Sequence, residues 1–314
     1  MYGNSIRDDG YITSLLDFIK LEYGFEAQNV IPAKRGYYGE TWRLDTSDDS
    51  YFVKLDYSPH KGIYERSFPV LENLRKNGIE LISRVVKTAD GRLSTRFDGA
   101  VLGVFDWIDG ENVQNEQTKM AEYQMLARIY TVPPDGLVVP CEDFSGKSAD
   151  AFLELWERLA DTRINTLLEQ NRGKLKHCAE RLKKFAALCR NDFTGFVITH
   201  GDAGGNMIKN GERYSLVDWD APMLAPPERD AWFCLHLPWA MDAFHDVLHC
   251  NGLGCSLRPE RLAYYCYHYF FFYMNEVLET YFDIGDGNGS ICDYLREYFG
   301  GWIEENLRFA EEHY

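Results

Sequence analysis

Hydrophobic and polar positions follow two different periods along the chain. Near the start, Ile12, Leu15, Leu16 and Ile19 recur at helical spacing, and the spacing predicts a leading helix from Ile12 to Tyr23 that Gly24 ends. Val30 to Leu55 then reads as a β-hairpin or meander, with Thr41 to Leu44 and the alternating Tyr51 to Leu55 as strands. Tyr64 to Asn77 is a helix closed by Gly78, with Pro69 inside it. Arg84 to Lys87 and Leu93 to Phe97 flank Asp90-Gly91, a hairpin signal, and Val101 to Trp107 is a further strand. Beyond Gly110 the period becomes helical. Predicted helices run from Thr118 to Tyr130, Ala149 to Asn171, Lys174 to Arg190, Pro238 to Cys250, Pro259 to Phe282 and Ile291 to Glu312. The expected class is α+β, with a β-rich lobe over residues 1–106 and a mainly helical lobe over 107–314.

One stretch interrupts the helices. Gly195 to Thr199 reads as a short buried strand. Two more apolar runs, Asn206 to Ile208 and Tyr214 to Asp218, lie either side of the turn signal Asn210-Gly211. His200-Gly-Asp202 therefore opens a loop that ends at Asn206, and Asp218 closes the next strand. The layout suits phosphoryl transfer from a nucleotide. That reaction needs a carboxylate to orient and deprotonate a hydroxyl, and oxygen ligands to hold Mg2+ against the phosphates. Asp202 is placed to be the base, and Asn206 with Asp218 the metal pair. Asn206 would coordinate without adding negative charge beside the phosphates. His200 reads as a buried histidine holding the loop.

His200 to Asn206 followed by Val217-Asp-Trp-Asp220 resembles the aminoglycoside phosphotransferase and choline kinase family, which has the protein-kinase-like two-lobe fold. The segment from Asp220 to Pro226-Pro-Glu-Arg-Asp230 is similar to the spectinomycin 9-phosphotransferase branch. The resemblance is dense over Val197 to Asp230 and thinner over roughly Tyr37 to Gly110. It implies a nucleotide side in which Gly36-Tyr-Tyr-Gly39 lies over the phosphates and Lys54 grips them. It implies a helix acid orienting Lys54: Glu65 stands at the branch's position, and Glu72 is the other candidate. It implies a hinge at Ile108-Asp109-Gly110, with adenine on backbone groups near Asp106 and Ile108. Glu228 is a candidate for acceptor contact. Its other reading is a helix start, where acids are favoured.

Composition narrows the partners. The net charge of −16 argues against nucleic acid and anionic membranes, and is compatible with a cationic small substrate. No apolar run is long enough for a bilayer; Tyr264 to Tyr273 is too short and contains His268. MYGNSIRDDG lacks the pattern of a signal peptide, so a cytoplasmic protein is expected. The eight cysteines include no CxxC pair and read as reduced, with His249-Cys250 and Cys255 a faint metal motif.

The expected activity is ATP- or GTP-dependent, magnesium-assisted phosphorylation of a small-molecule hydroxyl. An aminoglycoside or aminocyclitol acceptor, hence antibiotic resistance, is the first reading. A metabolic kinase acting on choline, a sugar or homoserine would carry the same catalytic residues. A non-catalytic scaffold of the spore-coat kind is the third, and retention of every catalytic residue argues against it. Acceptor, nucleotide and oligomeric state stay open.

Overall fold

The alternation of the N-terminal third becomes an antiparallel sheet. The computed structural model describes residues 7–33, 39–57, 62–160, 162–254, 256–285 and 290–314. Strands β1 (Asn29–Pro32), β2 (Glu40–Asp45), β3 (Ser50–Asp56), β4 (Val85–Val86), β5 (Thr95–Phe97) and β6 (Ala100–Asp106) lie in the order β1-β2-β3-β6-β4, with β5 also on β6. Successive side chains in a strand point to opposite faces. One face carries Trp42, Leu44, Val53, Leu55, Leu102 and Val104, which pack on Leu15, Ile19 and Tyr23 of α1 (Asp9–Tyr23). The other carries Thr41, Phe52, Lys54 and Phe105, which line a cavity. In register, Lys54 stands opposite Thr41 on one side and Gly103 on the other.

Helix α1 starts where the Asp8 carboxylate accepts the Tyr11 N–H at 2.8 Å and ends at Gly24, as its spacing predicts. Helix α2 (Ile63–Lys76) runs through Pro69, whose ring nitrogen has no hydrogen for the Glu65 carbonyl one turn back. Tyr64, Phe68, Leu71 and Leu74 form its buried stripe. Phe68 occupies the space over Gly103, where an added Cβ would stand 2.4 Å from the Phe68 ring. Gly103→Ala is therefore expected to destabilise the protein by about 1–3 kcal/mol, the usual cost of overpacking. The urea midpoint checks this, and an unchanged midpoint would mean that Phe68 repacks freely.

The segment around Asp90-Gly91 is not a simple hairpin. Val85 pairs with Phe105 and Thr95 with Leu102, so β4 and β5 share one edge of the longer β6. Gly36-Tyr-Tyr38 lies outside the described residues. Gly39 does not: with φ +103° and a Cβ position 1.9 Å from the Leu55 carbonyl oxygen, it admits no side chain.

By their contacts the residues group into two units, Met1–Pro140 with His200–Met223, and Cys141–Thr199 with Leu224–Tyr314. The first contains the sheet, α1, α2, α3 (Glu116–Tyr130) and the hairpin of two strands placed by Asn210-Gly211, numbered β8 (Met207–Asn210) and β9 (Arg213–Leu216) after β7 (Val197–Thr199) of the second unit. Bridges Ile82↔Leu216 and Glu111↔Lys209 tie the hairpin to the sheet's own segments. It also packs on α3, so the hairpin and residues 107–140 group with the sheet, beyond Asp106, where the sequence suggests a lobe boundary.

The second unit is mainly helical. Its helices are α4 (Lys147–Glu157), α5 (Thr162–Gln170), α6 (Arg172–Cys189), α7 (Glu228–Ala231), α8 (Pro238–Cys250), α9 (Pro259–Ile284), α10 (Ser290–Gly300) and α11 (Trp302–His313). The long helix expected over Ala149 to Asn171 is two: Asn165 Nδ2 donates to the Leu159 carbonyl and Trp156 Nε1 to Asn165 Oδ1, closing the break between α4 and α5. The last helix is also two, parted at Gly300-Gly301. Helix α9 is buried almost all round, through Tyr264, Tyr265, Phe270, Phe271, Met274 and Leu278, and α4, α6, α7, α10 and α11 pack on it. No helix among the described residues is long and apolar enough to cross a membrane. The seven described cysteines are unbridged, and Cys255 lies outside the described residues.

Candidate active site

Lys54 is 6% exposed, and its ammonium must find charge partners or lose its proton. It finds two. Nζ donates to Asp218 Oδ1 at 2.7 Å and to Asp220 Oδ2 at 2.5 Å. Burial works to lower the Lys54 pKa, but the charges of Asp220 and Asp218 and their hydrogen bonds outweigh it and hold it above the ordinary lysine value. Burial pushes both carboxyls up. At Asp218 the Lys54 charge overcomes this and the pKa falls below the ordinary value; at Asp220 the neighbouring Asp218 adds to burial and the pKa stays raised. The Asp218 side chain keeps 41% of its exposure, so it can serve a ligand as well as Lys54.

Asp218 has φ +63°, a left-handed conformation that Asp and Asn tolerate better than most residues. It follows β9 by two residues. The loop from His200 to Asn206 is braced against this turn. Buried His200 sets Nε2 against the Val217 carbonyl at 3.0 Å, and its Nδ1 accepts the Asp202 N–H at 3.2 Å. Those two bonds fix the neutral Nε2–H tautomer and make His200 a brace between loop and strand, its ring edge-on to Trp219 at 4.6 Å. The Val217 N–H in turn donates to the Asn206 carbonyl at 2.9 Å. Asn112 Nδ2 donates to the Gly205 carbonyl, and Gln114 Nε2 holds Asn112 Oδ1 at 2.7 Å.

Asp202 itself is exposed. Asn206 Nδ2 donates to the Asp202 carbonyl at 2.6 Å, which leaves its Oδ1 as the amide atom for a cation. The donor set fits magnesium: two oxygen ligands, Asn206 Oδ1 and the Asp218 carboxylate, with phosphate and water to complete the shell. No group of three His, Cys, Asp or Glu side chains suited to a metal occurs among the described residues.

Lys54, Asn206, Asp218 and Asp220 line one cavity of about 360 Å³ with Phe52, Phe68, Phe105 and Ile108. This is within the usual range for a small-molecule site, mostly apolar with a few convergent polar groups. At its rim the Asp106 N–H donates to the Arg84 carbonyl and the Trp107 N–H to the Ser50 carbonyl, so these two donors are already used. The Asp106 carboxylate pairs with Arg84 at 2.8 Å. Gly110 lets the chain pass close to β8, since a Cβ there would stand 2.3 Å from the Lys209 carbonyl oxygen.

Two expected partners of Lys54 are elsewhere. Glu65 is exposed: it precedes Ser67, which lines the cavity, by two residues, and so lies about 200° away around α2 at 3.6 residues per turn. Glu72 pairs with Lys87 at 2.7 Å. The second carboxylate on Lys54 is Asp220 instead. The spacing Asp218-x-Asp220 at a turn was the available signal. Glu228, in the second unit, is 2% exposed; its Oε1 accepts the Arg258 N–H at 2.6 Å, and it opens α7 as a helix start.

The family model of the phosphotransferase enzyme family matches residues 29–273, well over half of the chain. No curated protein matches the sequence. Among solved structures, spectinomycin phosphotransferase APH(9)-Ia in complex with ADP and spectinomycin is similar with a TM-score of 0.78 at 20% identity, over 95% of this chain and 98% of that one. A thermostable mutant of aminoglycoside phosphotransferase APH(4)-Ia, in a ternary complex with AMP-PNP and hygromycin B, gives 0.64 at 15% identity, over 95% and 98%. A macrolide 2'-phosphotransferase from Brachybacterium faecium gives 0.59 at 10% identity, over 93% and 98%. At these identities the likeness carries the fold, an antiparallel-sheet lobe and a helical lobe of the protein-kinase-like type. With the family match over residues 29–273, the chain belongs to the phosphotransferase enzyme family and is an enzyme that transfers a phosphoryl group to an alcohol.

Proposed function

We propose that this enzyme phosphorylates a hydroxyl of an aminoglycoside or aminocyclitol, with a purine nucleoside triphosphate as donor. The carrying observation is the convergence of Lys54, Asn206, Asp218 and Asp220 on one cavity, beside a loop that exposes Asp202. The nucleotide-bound neighbours support the donor, and the spectinomycin- and hygromycin-bound ones support the acceptor class. The net charge of −16 suits a cationic acceptor.

Each residue then has one task. Asp202 orients the acceptor hydroxyl and takes its proton late, because the transition state is loose. Lys54 holds phosphate oxygens. Backbone groups near Asp106 and Ile108 hold the base. Asn206 and Asp218 would hold magnesium, which when bound supplies charge neutralisation at the phosphates.

A screen of purified protein with ATP and with GTP against aminocyclitols, aminoglycosides, choline, sugars and homoserine, read by an 80-dalton mass gain on the order of one phosphoryl group, tests the reading. With a cationic acceptor, kcat/KM is expected to fall as salt rises, since the screening length shortens to about 10 Å near 0.1 M. A salt-insensitive rate on a neutral sugar would replace this reading by a metabolic kinase.

A further inference from the structure

In a kinase-like site the lysine needs a carboxylate that stays with it while the metal-binding aspartate turns to the nucleotide. Helix α2 does not present one here. The α2 residues that line the cavity are Ser67, Phe68 and Leu71, and the Ser67 and Tyr64 hydroxyls are buried without a hydrogen-bond partner. Glu65 is on the exposed face and Glu72 holds Lys87. Both carboxylates on Lys54 come from one turn, at Asp218 and Asp220, and only Asp218 is assigned to magnesium.

We infer that Asp220 is the positioning residue for Lys54, in place of a helix glutamate. The ammonium has three N–H donors. Two now go to Asp218 and Asp220. When Asp218 serves magnesium, Asp220 keeps Lys54 aimed into the cavity, and two donors become available for phosphate oxygens. The two aspartates, two residues apart, thus act on Lys54 in opposite senses: Asp220 aims it, and Asp218 competes with the nucleotide for it until a metal arrives.

This rests on the nucleotide-dependent reading above, and the test separates the two. ADP affinity is measured by calorimetry in EDTA, where no metal ligand is needed. Wild-type protein, with and without Mg2+, is the control: absence of ADP binding in both would defeat the nucleotide-dependent reading of this cavity. Given binding, Asp220→Asn is expected to weaken ADP about tenfold, while Asp218→Asn leaves it unchanged or tightens it and Glu65→Gln stays within about twofold. In kcat/KM, Lys54→Met and Asp220→Asn together are expected to cost at least tenfold less than the product of the single losses. An Asp220→Asn variant that binds ADP like wild type overturns the inference, as does a Glu65→Gln variant that weakens ADP as much as Lys54→Met. If Asp220→Asn loses its cooperative melt, Asp220→Glu takes its place: weaker ADP binding with Glu65→Gln silent supports the inference, and wild-type affinity overturns it.

Discussion

Asp202→Asn is expected to lower kcat by about 10²-fold or more, the usual worth of a positioned base, with magnesium-nucleotide affinity within about twofold of wild type. The substitution keeps shape and removes proton acceptance and charge. It leaves the loop standing, because the loop is braced through backbone atoms. The Asp202 N–H still donates to His200 Nδ1, and the Asp202 carbonyl still accepts from Asn206 Nδ2. Its carboxylate also meets Asn206 Nδ2 in a long contact at 3.4 Å, through Oδ2, which an amide oxygen can still accept. The thermal midpoint should therefore hold, as for most exposed substitutions. Single-turnover phosphorylation with calorimetric Mg-ATP affinity separates the roles. Normal turnover, or loss of nucleotide binding, would remove Asp202 from the role of base.

The residues that a reader can find from sequence are those whose chemistry is tied to a local turn. Asn210-Gly211 places β8 and β9, and once that hairpin is fixed, Asn206 before it and Asp218 after it fall at its open end. His200 follows from the same logic, as a buried imidazole in the loop that leads into the hairpin. Lys54 is legible because period two puts it on the face opposite Val53 and Leu55. Its partner is not. A helix residue reaches a lysine only at the right rotational phase, and a shift of one residue turns it by about 100°. Glu65 and Glu72 were the two candidates, both on α2, and Asp220 was not among them; the phase of α2 from its start at Ile63 and the left-handed turn at Asp218 decide the outcome. Non-local choices were hidden for a related reason. Nothing local tells β4 and β5 to share an edge of β6, and the break between α4 and α5 comes from the Asn165 bonds to Leu159 and Trp156 rather than from Gly or Pro.

Asp218→Asn should fail in the other way, weakening magnesium-nucleotide binding and turnover together, with kcat/KM down by about 10²-fold or more, as for loss of transition-state charge stabilisation. The fold should tolerate it. Asn accepts the left-handed backbone at φ +63° as Asp does. Lys54 keeps Asp220 at 2.5 Å, so no buried ammonium is stranded. Removing the Asp218 charge also relieves the repulsion that helps to hold the Asp220 pKa up. The pH dependence follows from the same carboxyl. Its pKa is lowered in the folded protein by Lys54, against burial, so its stabilising contribution is fully present above the ordinary carboxylate value. That contribution is lost as pH falls through the depressed folded value. Wild-type stability should thus decline on the acid side more than that of Asp218→Asn, which has no such group to protonate. Urea midpoints for the two proteins between about pH 2 and pH 6 bracket the ordinary carboxylate range and read this difference. Parallel curves would show that Asp218 carries no folded-state preference for its charge, and Mg-ATP affinity equal to wild type would remove Asp218 from the metal site.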